Sequence, residues 1–567
     1  MVWFYRPVHY NYYTIMDSDA SINLQRLPDM ATQVLDDMVK YLLSTSGLVV
    51  FVVIFVVYCV CCHRRDGRDQ RDVNPVPYDC LYIDTTLRHA MSLITWYCRV
   101  RVRRRKMDLE HTTLLNEIQA LCQSTASQSH HHPTLISASV NTSLDLFFRV
   151  QKYPPGSEVI VTAINTRDTI QVLLHHGLQV VPLDVTREQL SPELETLRLL
   201  LNENTVAIVV SHLFGRVCDL SAVTEIAHEH GVHVLEDCSL ACLAPAHSIN
   251  PESDLVFFNF GVIYPCTAFG GSITRIKDKY LREKMEELQK TYPQGSEVEY
   301  IRKAFKCTLT AKALQCPFLL KLSSGLAKLV RINLKEVINA YLTAPPAAGL
   351  VRQLRERPST TMTFMLHRRL KHVDPKDLER SRDVGDYVSD RLPQVAGQIG
   401  TYALIRGYWL FPILVDNPEE VYQRLNGLGI GASRSLAQIE LVTSTRPTDT
   451  HATTALVGID ETRCRPTTAS FIMDHIIYLP VHRGVPRHHL DQICLAVEIV
   501  LNKLAILARY HASVGARQKE THPGPYGPMT SRRNKESSRR RTVSVNRNIT
   551  TKTQQVTATN VNKNDSS

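Results

Sequence analysis

The chain has 567 residues and a formal net charge of +10, with 44% hydrophobic and 21% charged residues. That is enough chain for a large folded unit with extensions. From Ser513 onward there are eleven Lys/Arg and three Asp/Glu, a surplus of eight, so the rest of the chain is near neutral. This excludes a global nucleic-acid-binding surface and confines any electrostatic partner to local basic segments. Apart from Cys59 and Cys62 at the end of an apolar run, the fourteen cysteines show neither a CxxC pair nor a Cys/His metal spacing, which predicts buried thiols in a reducing compartment and no metal centre.

Residues 1–40 form a short N-terminal extramembrane segment. Tyr41 to Cys62 then reads YLLSTSGLVVFVVIFVVYCVCC and carries no charge. At 1.5 Å per residue it reaches about 33 Å, enough to cross a bilayer as one transmembrane helix. Arg64, Arg65, Arg68 and Arg71 follow it, while Arg6, Arg26 and Lys40 precede it among five aspartates. The positive-inside rule therefore places everything after Cys62 in the cytosol. The expected localisation is a single-pass membrane protein with its folded part and C-terminus cytosolic.

Residues 63–134 read as a basic juxtamembrane linker and helices. Within them, Trp96 to Lys106 is rich in arginine and suits contact with anionic lipid or a solvated connector. From 135 to 276, apolar strand-like runs alternate with amphipathic helices. The runs are VIVTAI, QVVPLDV, TVAIVVSHLF, HVLEDC, LVFFNF and GGSITRI. The pattern predicts an α/β fold whose sheet is mainly parallel and covered on both faces. Residues 277–345 read as helical. Their apolar stretch, 313–332, fits either core or a membrane interface. From about 400 to 505, YWLFPILVD and IIYLPVH alternate with helices, the pattern of a small α/β lobe. The expected domains are thus 135–395, large, and 396–511, small. Residues 512–567 form a basic tail with few apolar groups, predicted disordered.

Several motifs in fixed order resemble the DegT/DnrJ/EryC1/StrS aminotransferase family. They are Ser139-Val140-Asn141-Thr142-Ser143-Leu144, Pro155-Gly156-Ser157-Glu158, His212-Leu213-Phe214-Gly215 with Asp219-Leu220, and Val234-Leu235-Glu236-Asp237. Later come Phe411-Pro412-Ile413, Gly427-Leu428-Gly429-Ile430-Gly431 and Leu479-Pro480-Val481-His482. The resemblance spans about 135 to 505. It implies a fold type I pyridoxal-phosphate transferase-like architecture, a three-layer large domain plus a small C-terminal lobe, with the active site at a dimer interface.

The resemblance also implies site roles. Asn141, Thr142 and Ser143 would open a helix whose N–H groups meet the cofactor phosphate. Asp237 would face the pyridine nitrogen and keep it protonated. Asn259 stands where a phosphate-binding serine is expected and retains a donor. Three further positions depart from the family. Thr166 replaces a stacking aromatic, and Leu240 replaces a glutamine. The cofactor lysine is absent from Phe258 to Gly271; its place falls on Tyr264, or on Val262 by the alternative alignment. A phenol forms no imine. Pyridoxal 5'-phosphate is thus implied by resemblance alone, without a covalent anchor. The leading expectation is a catalytically inactive binding, scaffold or regulatory subunit, as a homo- or heterodimer at a membrane. The alternative is an active sugar aminotransferase, or a dehydratase-like enzyme using pyridoxamine phosphate.

Overall fold

A computed structural model describes residues 76, 78–102, 107–125, 133–241, 249–315, 354–435, 439–445 and 465–520. The expected membrane helix 41–62 lies outside them, as do the 316–332 part of the apolar stretch and the tail beyond 520. Among the described residues, no helix is long and apolar enough to cross a membrane. The chain divides into two units, Met1–Ile506 and Leu507–Ser567. Of the second, residues 507–520 are described, and they are helical.

In chain order, the described elements begin with helices α1 (Leu87–Val102) and α2 (Met107–Thr125). Next come β1 (Thr134–Ser137), α3 (Val140–Gln151), β2 (Glu158–Thr162), β3 (Ile164–Thr166), α4 (Arg167–His175), β4 (Gln179–Leu183), α5 (Leu194–Leu200) and β5 (Thr205–Ser211). They are followed by β6 (Arg216–Val217), α6 (Ser221–Glu229), β7 (His233–Asp237), β8 (Leu255–Asn259) and β9 (Ser272–Ile276). Beyond lie α7 (Lys279–Lys290), α8 (Glu297–Gln315), α9 (Thr360–Lys371) and α10 (Pro375–Ser389). The last are β10 (Ile405–Arg406), β11 (Phe411–Leu414), α11 (Pro418–Gly427), β12 (Ile439–Leu441), α12 (Thr467–His475), β13 (Ile476–Leu479) and α13 (Arg487–Glu520).

The main sheet has seven strands in the order β1-β9-β8-β7-β5-β2-β4. Its ladders are parallel except where β9 meets β1 and β8. Alternation along each strand sends side chains to two cores. One holds Val159, Val161, Val209, Leu235 and Phe257 against Leu144 and Phe147 of α3 and Met285 of α7. The other holds Ile160, Ile208, Val210 and Val234 against Leu197 of α5 and Val223 and Ile226 of α6. Helices on both faces make three layers, which explains why the strands read as continuous apolar runs. The expected α/β fold with a mainly parallel sheet is the fold observed. A separate antiparallel pair, β11 with β13, packs Ile413, Ile477 and Leu479 on Val421 and Leu425 of α11 and Leu490, Ile493 and Val497 of α13.

One expectation needs correction. The stretch 63–134 was set apart from the folded body, but its described residues, Val76 the first of them, pack into it. Val76 bridges to Ile430, and the buried Cys80 thiol donates to the carbonyls of Gly431 (3.1 Å) and Tyr478 (3.3 Å). Asp84 pairs with Arg369 and Arg483. Leu93 of α1 and Ile118 of α2 are fully buried with Met365 and Leu366 of α9 and Phe269. Trp96 stacks on Phe364 at 4.5 Å. The arginines of α1 drew attention in the sequence, but its apolar face decides where it goes.

Candidate functional site

The site candidates gather at the C-terminal ends of the parallel strands, where an open α/β sheet places its ligand crevice. Asp237 ends β7, in register with Ser211 of β5 and Phe257 of β8. Its Oδ1 accepts the Ser239 N–H at 2.9 Å. Burial raises its pKa above the ordinary carboxylate range, opposed by the Ser239 hydrogen bond and by His212. Beside it, the Ser211 N–H donates to Thr162 Oγ1 at 3.2 Å, and the buried Ser211 hydroxyl, opposite Asp237 in register, hydrogen-bonds the carboxyl and favours its charged form.

The loop after β8 carries the position where a lysine was sought. Asn259 Oδ1 accepts the Gly261 N–H at 2.9 Å, so this side chain closes its own turn. The two alternative positions diverge. Val262 packs into the cluster of Leu93, Phe260 and Phe269. Tyr264 packs instead with Leu240, Trp409, Ile439 and Tyr478. The Tyr264 ring stacks on Trp409, centroids 5.9 Å apart at 17°. Its phenol is pushed well above its ordinary pKa by burial, then by the carboxylates of Asp237 and Asp168. Tyr264 thus faces Asp237 electrostatically, and Val262 belongs to another core. The nearest lysines along the chain point outward: Lys277 pairs with Glu252 (2.8 Å) and Lys279 with Glu283 (4.0 Å).

Thr166 lies in β3, paired with Ile439 of β12, and shares a hydrogen bond with Thr169 (Oγ1–Oγ1 2.9 Å). Leu240 is buried and has no polar atom to offer. At the other end of the candidate crevice, Ser139 caps α3 by accepting the Thr142 N–H at 3.1 Å. Asn141 stands half-buried in the first turn. The Ser143 hydroxyl is drawn inward, bonding Ser137 and accepting from Thr274 Oγ1 at 2.8 Å. Sequence reasoning missed Trp409, Asp168 and Ser211. Asp168 follows Thr166 by two residues and was visible; Trp409 is over a hundred residues from Tyr264, and only the fold joins them.

No metal centre was expected from spacing. Among the described residues, His212, Glu236 and Cys238 form one group with ligand chemistry, all buried. Strand alternation puts Glu236 on the opposite sheet face from Asp237. Its carboxylate binds His212 Nε2 at 2.9 Å and accepts from Ser253 Oγ at 2.8 Å and Cys238 Sγ at 3.8 Å. These groups satisfy one another, as buried polar groups must.

With this geometry in place, comparison with known proteins is informative. The model of the DegT/DnrJ/EryC1/StrS aminotransferase family matches residues 107–337. The spore coat polysaccharide biosynthesis protein SpsC of Bacillus subtilis is 26% identical over 152 residues, 26% of this chain and 39% of that protein. The UDP-N-acetyl-3-dehydro-alpha-D-glucosamine 3-aminotransferase of Acidithiobacillus ferrooxidans is 27% identical over 158 residues, covering 27% and 42%. The matches therefore span less than half the length of these curated relatives. Among solved structures, the aminotransferase TlmJ from Streptoalloteichus hindustanus superposes with a TM-score of 0.50 at 15% identity, covering 75% of this chain and 99% of that one. The aminotransferase from Psychrobacter cryohalolentis gives a TM-score of 0.50 at 15% identity, covering 74% and 98%. These two likenesses concern the fold. Through residues 107–337 and the sheet they build, the chain resembles the DegT/DnrJ/EryC1/StrS aminotransferase family.

Proposed function

We propose that this protein is a membrane-anchored aminotransferase-fold subunit that binds or regulates and performs no Schiff-base chemistry. The observation that carries the reading is Tyr264. It stands in the loop where the family resemblance seeks a lysine, and its raised phenol is neither an amine nor a base at neutral pH. Pyridoxal 5'-phosphate would supply an electron sink on which an amine is exchanged. The described residues offer it the acid Asp237 but no amine. At the phosphate end, the Thr142 N–H and the Ser143 hydroxyl are already used within the chain. They do not fit a covalently held cofactor. A homo- or heterodimer, held at a membrane by 41–62 with the fold on the cytosolic side, belongs to the same proposal.

The test is spectroscopic. The full chain, purified in detergent and incubated with pyridoxal phosphate, should show no internal-aldimine band and no borohydride-reducible lysine adduct. A reducible adduct would sink the reading. One observation favours the alternative, an enzyme using pyridoxamine phosphate without covalent attachment. Asp237 is retained, buried and aligned with Ser211. Conversion of a keto sugar nucleotide to the amino sugar nucleotide that depends on an amino acid donor and releases the matching keto acid would establish that activity.

A further inference from the structure

The surface helices differ in how their charges are matched. Every lysine and arginine of α7 and α11 pairs with a glutamate one turn away: Lys279 with Glu283, Arg282 and Lys290 with Glu286, Lys284 with Glu287, and Arg424 with Glu420. The helices α1, α2, α8 and α9, which pack together, are different. They carry ten Lys/Arg and five Asp/Glu, a surplus of five. Two of those acids are used within the group. Glu297 caps α9 by accepting the Thr360 and Thr361 N–H groups at 2.8 Å, and Glu117 pairs with His367 at 3.1 Å. Arg88 and Arg99 of α1 and Arg302 and Lys303 of α8 are exposed, and none of them pairs with an acid among the described residues.

Packing explains why these cations share one surface. α1 buries Ala90, Leu93 and Val100 and stacks Trp96 on Phe364. That leaves Arg88, Met91, Thr95 and Arg99 on its opposite side at helical spacing. α8 turns Tyr300, Ala304 and Cys307 into the same core as Leu93, so the outer sides of two adjoining helices lie next to each other. Cations of one sign repel one another there and gain from an anionic surface. Exposed apolar side chains stand between them: Met91 is one turn from Arg88, and Val298 one turn from Arg302. Basic and apolar groups on one helix face suit a lipid headgroup layer.

We propose that the outer face of α1 and α8 rests on an anionic membrane leaflet, with Arg88, Arg99, Arg302 and Lys303 meeting the lipid phosphate and carboxylate groups. This goes beyond the function proposed above and rests on its membrane-anchored reading. Val76, the first described residue, follows Cys62 by fourteen residues. An extended chain of that length reaches about 50 Å at most. The folded body is thus held near the bilayer, where a face of modest affinity is enough to dock.

The test uses the full chain in nanodiscs of phosphatidylcholine alone or mixed with phosphatidylserine. Hydrogen exchange is followed in residues 87–102 and 297–315. Exchange is expected to slow by about fivefold or more in the anionic discs, the scale of one cation near such a surface. High salt should remove the difference in wild type, a check that needs no variant. The combined variant Arg88→Glu, Arg99→Glu, Arg302→Glu and Lys303→Glu should exchange alike in both discs. Its unfolding temperature in detergent should match wild type, because the replaced groups have no acid partner. Equal exchange of wild type in both discs would overturn the proposal. So would a difference that survives high salt or charge reversal, or protection by a soluble oligonucleotide with none from the anionic discs. Failure to enter either disc would instead strike the anchored reading, so the two failures are distinguishable.

Discussion

The indole Nε1 of Trp409 donates to the carbonyl of Ile263 at 3.0 Å, and the Trp409 ring lies nearly parallel to that of Tyr264. One residue from the C-terminal lobe thus pins both the backbone and the side chain of the loop in which the resemblance places a lysine. The loop is held from inside as well. A Cβ on Gly261 would stand 3.0 Å from the Tyr264 ring and 3.1 Å from Asn259 Oδ1.

Gly261→Ala is therefore expected to push Tyr264 off Trp409 at a cost of about 1–3 kcal/mol, the range for overpacking. With Trp3 and Trp96 replaced by phenylalanine, Trp409 becomes the sole reporter. Its emission should shift in the Gly261→Ala variant. Unchanged emission and stability would show that the stack does not hold the loop.

Gly215 offers a sharper test of the same lobe contact. It has φ +84°, and a Cβ there would lie 2.4 Å from the Trp409 backbone nitrogen and 2.8 Å from that of Tyr408. Neither backbone nitrogen can move aside as a side-chain end would. Gly215→Ala should lose about 3 kcal/mol or more, combining left-handed strain with a backbone clash. Urea unfolding would measure it.

Leu93 tests whether the segment before the large sheet belongs to the fold. It is fully buried against α9 and the loop after β8. Leu93→Ala should cost about 2–5 kcal/mol, the range for a buried leucine. A solvated connector would tolerate the change within about 0.5 kcal/mol.

Two buried acids should titrate in opposite senses. Burial raises Asp237, so between its ordinary and its raised pKa the folded state holds a proton that the unfolded chain has released. Its contribution to stability is present at low pH and declines as pH rises through the folded value. Asp237→Asn should flatten that part of the stability profile, with its advantage over wild type growing toward neutral pH. Asp145 runs the other way. Burial would raise it, but hydrogen bonds from His176, Tyr292 and Arg355 outweigh that and leave it lowered. Its contribution is present above the ordinary value and is lost as pH falls through the folded one. Asp145→Ala, which strands three partners, should cost about 3–5 kcal/mol at neutral pH. Denaturant titrations of wild type and both variants across pH 3–8 would check the signs.

Much of the fold was legible in the chain. The runs from VIVTAI to GGSITRI became β2, β4, β5, β7, β8 and β9, because strands covered on both faces are apolar throughout and stand out between amphipathic helices. β1 was not distinguished: four residues, Thr134–Ser137, are too few to show a period. Asp237 was legible because it sits at a strand end within a motif, and the absence of a lysine from Phe258 to Gly271 is a fact of the sequence alone.

Composition and local order determined, without coordinates, that the chain holds an α/β sheet and has no amine in the loop where the resemblance seeks one. They also determined that Thr166 and Leu240 bring neither an aromatic ring nor an amide to their positions. The tertiary structure decided which residues meet. Tyr264 packs with Leu240 and Trp409 while Val262, two residues away, packs against the separate cluster of Leu93 and Phe269. Trp409 crosses from another lobe to stack on Tyr264, and Ser143 turns its hydroxyl into the sheet. A sequence pattern records which side chains a local element can offer. Their partners come from packing between segments far apart in the chain, where the burial of apolar area and the pairing of buried polar atoms are settled together.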